Sequence, residues 1–182
     1  MIDAEFIYKK ANSLVKQFGT NDPYGIAEGL GIMVDDTSDL NSLLGVFTYK
    51  WKHRIIMLHT RLCGHLRIMT GAHELGHAVL HIDEAKQGAL KEFSMFKLKT
   101  KTEYEANAFA AHLLIDDDDL LELAYSGYTV EQMASILEVF PQLVAIKIKE
   151  MIKLGYDLIL PCDIDSCFLK DINIDDYLDD NI

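Results

Sequence analysis

The sequence predicts an α+β fold in which a small antiparallel sheet packs against helices and a helical part follows towards the C-terminus. Residues 43–50 and 54–59 are rich in β-branched, aromatic and aliphatic side chains, and the three residues between them fit a tight turn. Apolar residues recur at helical spacing in residues 3–18 and again in residues 64–82. Helices are therefore expected on both sides of the hairpin.

The chain before the hairpin predicts one long helix, one short helix and a strand. Gly19 follows the first amphipathic segment and marks its end. Asp22 is suited to cap the short helix, Pro23 to occupy its first turn, and Gly31 to end it. The apolar run of residues 32–34 then predicts an edge strand.

The chain after residue 82 alternates between polar and helical segments. Residues 83–100 are polar and predict a loop, with one strand through residues 93–98. Residues 103–115 predict a helix, and the four aspartates at 116–119 predict the cap of another. The apolar spacing of residues 120–156 predicts two or three short helices with the character of a helix-turn-helix.

The charge of the chain is concentrated near its C-terminus. Its formal net charge is −12, and residues 157–182 hold eight aspartates against the single Lys170. No basic stripe of the kind that binds phosphate backbones is present, which argues against direct nucleic-acid binding. With 49% hydrophobic and 25% charged residues, the chain has the composition of a soluble globular protein.

The sequence contains neither a signal-peptide pattern nor an apolar run long enough to span a membrane. We therefore expect a cytoplasmic protein. Cys63, Cys162 and Cys167 are odd in number and lack CxxC spacing, so free thiols are expected rather than disulfides or a cysteine metal site.

The segment TGAHELGHAVLH, residues 70–81, indicates a metal site on a helix. His73 and His77 lie one helical turn apart, so both imidazoles can bind the same ion. Glu74 points to the side, where it can take a proton from a water molecule held by the metal. If the histidines were ordinary core residues, the charge of Glu74 on an otherwise apolar helix would have no explanation.

His81 continues the same face but plays a different part. It lies about 12 Å from His73 along a straight helix, which is too far for the two to share one tetrahedral ion. We expect His81 to support a ligand or to lie at the surface.

The third ligand must come from elsewhere in the chain. The metzincin pattern would continue with a glycine and a third histidine, but this sequence has Leu80 and Asp83 at those positions. The remaining common arrangement combines two histidines, a glutamate from a later helix and a water molecule.

Helical phase ranks the two candidate glutamates. Glu103 lies about 50° from the centre of the apolar face of its helix, and Glu105 about 110°. That face comprises Ala106, Phe109, Ala110, Leu113 and Leu114. Asn107, one turn after Glu103, is placed to hydrogen-bond a ligand.

The alternative function of either glutamate is a helix cap. Thr100 precedes Glu103, and Thr102 precedes Glu105, by the three residues of a capping box. We expect Glu105 to form the helix cap and to lie on the outer face of the helix with His112. Glu103 is then free to bind the metal. It stays open whether Glu105, rather than Glu103, is the third metal ligand.

Residues 72–81, AHELGHAVLH, and residues 103–115, EYEANAFAAHLLI, together resemble the ImmA/IrrE family of metallopeptidases. In that family H-E-x-x-H is followed by a helix with the pattern E-x-x-A-N-x-F-A-x-x-L-L. The likeness covers residues 20–116 and, more weakly, the helical part that follows. The family pattern often ends in Met-Pro, where this chain has Ile115 and Asp116.

We expect a zincin-like metallopeptidase domain in residues 1–116, a helical extension with a helix-turn-helix-like pattern in 117–156 and an acidic tail in 157–182. The resemblance implies a zinc-dependent endopeptidase, often encoded on phages or mobile elements. Such an enzyme cleaves a partner helix-turn-helix repressor and so derepresses its operon.

By the same resemblance, His73, His77 and Glu103 bind Zn²⁺ and Glu74 is the catalytic residue. One alternative is a non-proteolytic zinc-binding regulator that inactivates a repressor by binding it. Another makes the helical extension a DNA-binding module, but residues 120–154 carry four glutamates against three lysines, a poor composition for holding a duplex.

Overall fold

The computed structural model describes residues 3–40, 43–86 and 101–159. Eight helices and three strands are present in these ranges. In chain order they are α1 (Ala4–Phe18), α2 (Pro23–Gly29), β1 (Met33–Thr37), β2 (Gly45–Lys50), β3 (His53–His59), α3 (Gly64–Leu80), α4 (Ile82–Lys86), α5 (Lys101–Leu114), α6 (Asp117–Tyr125), α7 (Val130–Ile136) and α8 (Pro141–Lys153).

The three strands form one sheet in the order β1-β3-β2. Strands β2 and β3 are antiparallel, with Gly45 opposite Leu58, so the predicted hairpin and the α+β class are confirmed. Strand β1 pairs with β3 in parallel, with Met33 opposite Ile55, and the sheet is therefore mixed rather than wholly antiparallel. The chain reverses direction at β2 and again at β3, so β1 and β3 run the same way.

Helix α3 packs against the sheet on one side and against α5 on the other. Its residues from Met69 to Ala78 are all buried, including the polar ones. A Cβ atom on Gly76 would lie 3.0 Å from the carbonyl oxygen of Ala106 and 3.1 Å from its Cα. The backbones of α3 and α5 are therefore in direct contact at Gly76.

Helix α5 is enclosed on several sides, because α1 and α8 pack against it as well as α3. The prediction that His112 lies on an outer face is therefore wrong: its exposed fraction is 2%. Its Nδ1 lies 3.2 Å from Nζ of the buried Lys147, which forms an ion pair with Asp117 at 2.5 Å. Burial lowers the pKa of His112 to about 3, so the imidazole is neutral.

Helix α4 occupies the start of the segment that was predicted to be a loop, and the loop prediction is wrong for these residues. Asp83 and Glu84 lie in its first turn, where negative charge stabilises a helix. Lys86 forms an ion pair with Asp83 at 2.9 Å. Short-range electrostatics thus explain a helix that apolar periodicity could not reveal.

The C-terminal helices agree with the prediction of short helices after the aspartate run. The side chain of Asp116 caps α6, and Thr129 caps α7 with the reciprocal contact from Gln132. Cys63 is an exposed free thiol, as predicted. No helix within residues 3–40, 43–86 and 101–159 is long and apolar enough to cross a membrane.

Several predictions fall outside the described residues. They are the strand at 93–98, the cap at Thr100, the thiols of Cys162 and Cys167 and nearly all of the acidic tail.

The contact at Gly76 gives a test of the fold. We expect Gly76→Val to lower the free energy of unfolding by about 1–3 kcal/mol, because the added atoms must force α3 and α5 apart. Urea unfolding followed by circular dichroism measures this. His65→Val, at an exposed position of the same helix, is the control and should change stability by less than about 0.5 kcal/mol. A Gly76→Val protein as stable as wild type would contradict the close contact.

Candidate metal centre

Three buried side chains from two helices converge between α3 and α5. Nε2 of His73 and Nε2 of His77 are 3.1 Å apart. Oε2 of Glu103 lies 3.3 Å from Nε2 of His73, and Oε1 of Glu103 lies 3.1 Å from Nε2 of His77. Each residue offers a ligand atom, and these atoms all lie within 4.8 Å of one another. The structure thus brings together the three residues that the sequence predicts as metal ligands.

The other ring nitrogens of the two histidines have their own buried partners. Nδ1 of His73 lies 2.9 Å from Oδ1 of Asn107, in agreement with the prediction that Asn107 hydrogen-bonds a ligand or its neighbour. Nδ1 of His77 lies 3.1 Å from Nδ1 of His81. A neutral imidazole that donates through Nδ1 presents a lone pair at Nε2. Both Nε2 lone pairs then face the carboxylate of Glu103, an arrangement of acceptors that fits a bound cation.

The charges at the centre are strongly coupled. Burial alone would raise the pKa of Glu103, but the contacts with His73 and His77 outweigh it and lower the pKa to about 2. Burial lowers the pKa of His77 to about 4. Burial also acts to lower the pKa of His73, but the hydrogen bond with Glu103 and the charge of Glu74 outweigh it, so this pKa is raised. Glu103 is therefore held as the carboxylate, the form that binds metal ions.

Glu74 lies beside this group, between α3 and the sheet. Burial raises its pKa to about 7; His73 acts in the opposite direction, and the charge of Glu103 raises the pKa further. The backbone N–H of Phe47 in β2 donates a hydrogen bond to the Glu74 carboxylate. A carboxyl group with a pKa near neutrality can take up a proton and return it.

Strand β2 passes directly over Glu74. A Cβ atom on Gly45 would lie 3.0 Å from Cγ of Glu74 and 2.9 Å from Cγ2 of Thr70. Only glycine allows the strand to approach the helix so closely. Sequence reasoning missed Gly45 and Phe47, because the predicted strands gave no indication of which edge would lie against the histidine helix.

Glu105 does not occupy the outer face on which the sequence placed it; that prediction is wrong. Its exposed fraction is 3%, and its Oε2 lies 3.0 Å from Nε2 of His81. The phase argument failed because α5 has neighbours on several sides, so no single apolar face defines its inside. His81 is buried as well, and it supports His77 rather than lying at the surface.

The chain matches the IrrE N-terminal-like domain family (Peptidase M78) over residues 27–149. This range contains β1 to β3, the histidine helix α3, the glutamate helix α5 and most of α8. The family is one of metallopeptidases, so a metal ion is implied, and the converging donors of α3 and α5 fit one.

Two relatives support the match. The chain is 31% identical to "Uncharacterized immunity region protein 2" of Bacillus phage phi105 over 121 residues, which are 66% of this chain and 75% of the phage protein. It is also 31% identical to "Metallopeptidase ImmA" of Bacillus subtilis over 136 residues, 73% of this chain and 78% of that protein. The chain belongs to the IrrE N-terminal-like family of metallopeptidases, as its two motifs predicted.

Proposed function

We propose that the protein is a zinc-dependent endopeptidase in which His73, His77 and Glu103 bind the metal and Glu74 is the general base. The observation that carries this proposal is the convergence of two imidazole nitrogens and one carboxylate in a buried site beside a second carboxyl group. Two histidines and one carboxylate are the ligands of catalytic zinc in hydrolases, where the fourth position stays open for water.

The distances favour an ion of this kind. Ligand atoms around a tetrahedral zinc ion, each about 2.0–2.1 Å from it, are roughly 3.3 Å apart. The two Nε2 atoms are 3.1 Å apart, and each lies 3.1–3.3 Å from a different carboxylate oxygen of Glu103. These separations are close to those around a tetrahedral zinc ion.

A zinc ion held by His73, His77 and Glu103 would supply a Lewis acid and would lower the pKa of a water molecule to about 7. In the proposed reaction, Glu74 accepts a proton from the water molecule that attacks the peptide carbonyl. Glu74 then delivers the proton to the leaving amine, so that the C–N bond breaks and the carboxyl group is ready for another cycle. The hydrogen bond from the backbone of Phe47 holds the carboxylate in place between these two transfers.

The edge of β2 offers a binding site for an extended peptide. The N–H of His59 donates to the carbonyl of Leu44 at 2.8 Å, so alternate residues, including Gly45 and Phe47, direct their backbone groups away from β3. That side is the one on which Glu74 lies. In the described part of the chain β2 pairs with β3 alone. A substrate strand that joins this edge would pass beside the metal centre.

We further propose that the substrate is a helix-turn-helix repressor and that the enzyme acts in the cytoplasm to regulate phage or mobile-element genes. The supporting observations are the similarity to a protein from a phage immunity region and to a protein named Metallopeptidase ImmA. The division into a metallopeptidase domain (1–116), a helical extension (117–156) and an acidic tail (157–182) belongs to this proposal.

The metal site can be tested by replacing one ligand at a time. Zinc sites held by four ligands bind with about 10–16 kcal/mol, or roughly 3 kcal/mol per ligand, so His73→Ala, His77→Ala and Glu103→Ala should each weaken zinc binding about 100-fold or more. Competition with a chromophoric chelator measures the dissociation constant. His65→Ala, which removes an exposed histidine from the same helix, should bind zinc as wild type does. Retention of wild-type affinity by any of the first three variants would exclude that residue as a ligand.

The catalytic assignment is tested by Glu74→Gln. We expect this variant to keep zinc but to cleave about 10²- to 10⁴-fold more slowly a helix-turn-helix repressor that the wild-type protein cleaves, since the amide cannot accept the proton. Fragments identified by mass spectrometry measure cleavage. Glu84→Gln, the same change at an exposed position of α4, is the control and should cleave normally.

The same variant separates proteolysis from the non-proteolytic alternative. If Glu74→Gln relieves repression in cells as well as wild type does, the protein acts by binding its partner and the peptidase mechanism is wrong. If relief is lost while the repressor still co-purifies with the variant, cleavage is the active step.

A further inference from the structure

We propose that His81 and Glu105 are positioning residues that fix the orientation and the tautomer of His77 for metal binding. The proposal rests on the proposed metal site but not on proteolysis. It concerns a continuous line of buried polar contacts that runs from the metal centre through α3 to α5. Neither His81 nor Glu105 belongs to the HExxH motif.

The contacts form a chain of three side chains. Nε2 of His77 faces Glu103, and Nδ1 on the opposite side of the ring lies 3.1 Å from Nδ1 of His81. Nε2 of His81 in turn lies 3.0 Å from Oε2 of Glu105. His77 and His81 are each 1% exposed and Glu105 is 3% exposed, so water has little access to these atoms.

When His77 binds a metal through Nε2, one arrangement of protons satisfies the contacts of His77 with His81 and of His81 with Glu105. Its Nδ1 then carries the proton and donates to Nδ1 of His81, which must be an unprotonated acceptor. His81 consequently carries its proton on Nε2 and donates it to the carboxylate of Glu105. The negative charge of Glu105 therefore selects the tautomer of His81, and His81 selects the tautomer of His77.

The backbone at the end of α3 makes this geometry possible. His81 has φ −124° and ψ 27°, values that leave the regular helix, and it is the C-cap residue. The ring centroids of His77 and His81 are 5.2 Å apart with a tilt of 51° between the planes. The ring of His81 thus presents its Nδ1 to the imidazole one turn earlier rather than pointing into solvent.

The two proposed histidine ligands are supported unequally. His73 donates to a neutral carboxamide, that of Asn107, at 2.9 Å. His77 donates to an imidazole that is itself polarised by a carboxylate. Hydrogen bonds to carboxylates make ligating histidines more basic and fix their rings, and loss of such partners typically weakens metal binding about 10- to 100-fold. The contacts through His81 and Glu105 should therefore make His77 bind the metal more strongly than His73 does.

The burial of Glu105 gives an independent argument. A carboxylate removed from water is unfavourable unless it has a partner. His81 contacts one of its oxygens at 3.0 Å, while Nζ of the half-exposed Lys101 lies 3.8 Å from the other. Of these two contacts, the one with the buried imidazole has hydrogen-bond length, whereas a half-exposed lysine at 3.8 Å contributes little.

The experiment measures the zinc dissociation constant of the purified full-length protein by chelator competition. His81→Phe keeps a ring but removes the acceptor, and we expect zinc binding about 10- to 100-fold weaker than wild type. His81→Asn places an amide oxygen near the position of Nδ1, as Asn107 does for His73, but loses the contact with Glu105, so a loss of roughly 3- to 10-fold is expected. Glu105→Gln retains an acceptor but loses the charge, and a loss of roughly 3- to 10-fold is expected.

A second readout separates positioning from simple packing. The visible spectrum of the Co²⁺-substituted protein reports the coordination geometry, and it should change in His81→Phe but not in His81→Asn. His65→Phe, an exposed position of the same helix, is the matched control and should change neither affinity nor spectrum. Circular dichroism of the metal-free proteins verifies folding. If His81→Phe does not fold, the comparison of Glu105→Gln with wild type decides.

The proposal is overturned if His81→Phe binds zinc within twofold of wild type, or if His81→Phe and His81→Asn are weakened equally. The proposal is also overturned if Glu105→Gln binds zinc with wild-type affinity and its Co²⁺ spectrum is unchanged. A wild-type protein that binds no zinc would overturn the metal site together with this proposal. A protein that binds zinc with the expected order of affinities but cleaves nothing would leave this proposal standing and refute the peptidase.

Discussion

The close contact between α3 and α5 is the constraint on which the candidate metal centre depends. The two histidines come from one helix and the glutamate from the other, so the distance between the helix axes determines whether the three groups meet. Gly76 allows this approach, because a Cβ atom would touch the backbone of Ala106. Gly76 lies between Glu74 and His77 on the same turn, which places the closest backbone contact beside the residues that carry the chemistry.

Burying many polar groups is unfavourable unless each has a hydrogen-bonding partner. In this structure, residues around the metal centre supply such partners. Asn107 lies within hydrogen-bond distance of Nδ1 of His73, and His81 within hydrogen-bond distance of Nδ1 of His77. The backbone N–H of Phe47 donates to Glu74. The same elements that form the core also orient the site. Strand β2 pairs with β3 on one side and places Gly45 against Glu74 on the other. Fold and site therefore depend on the same few contacts.

The features that are local in the sequence were predictable. Helical periodicity places His73 and His77 on one face whatever surrounds the helix, and the hairpin is visible from two apolar segments with a short turn. What failed depends on the packing of distant elements. Glu105 and His112 were placed outside because one apolar face was assumed for α5, whereas α1, α3 and α8 all cover it. The parallel pairing of β1 likewise depends on whether β1 joins the edge of β3 or that of β2.

X-ray absorption spectroscopy of the zinc-loaded protein tests whether α3 and α5 together build a metal site of two imidazoles and one carboxylate. We expect a zinc ion coordinated by nitrogen and oxygen at about 2.0–2.1 Å, with multiple scattering from two imidazole rings and a total of about four ligands. Sulfur scattering at about 2.3 Å would indicate that a cysteine holds the metal instead. That result, or the signature of a single imidazole, would exclude the proposed site.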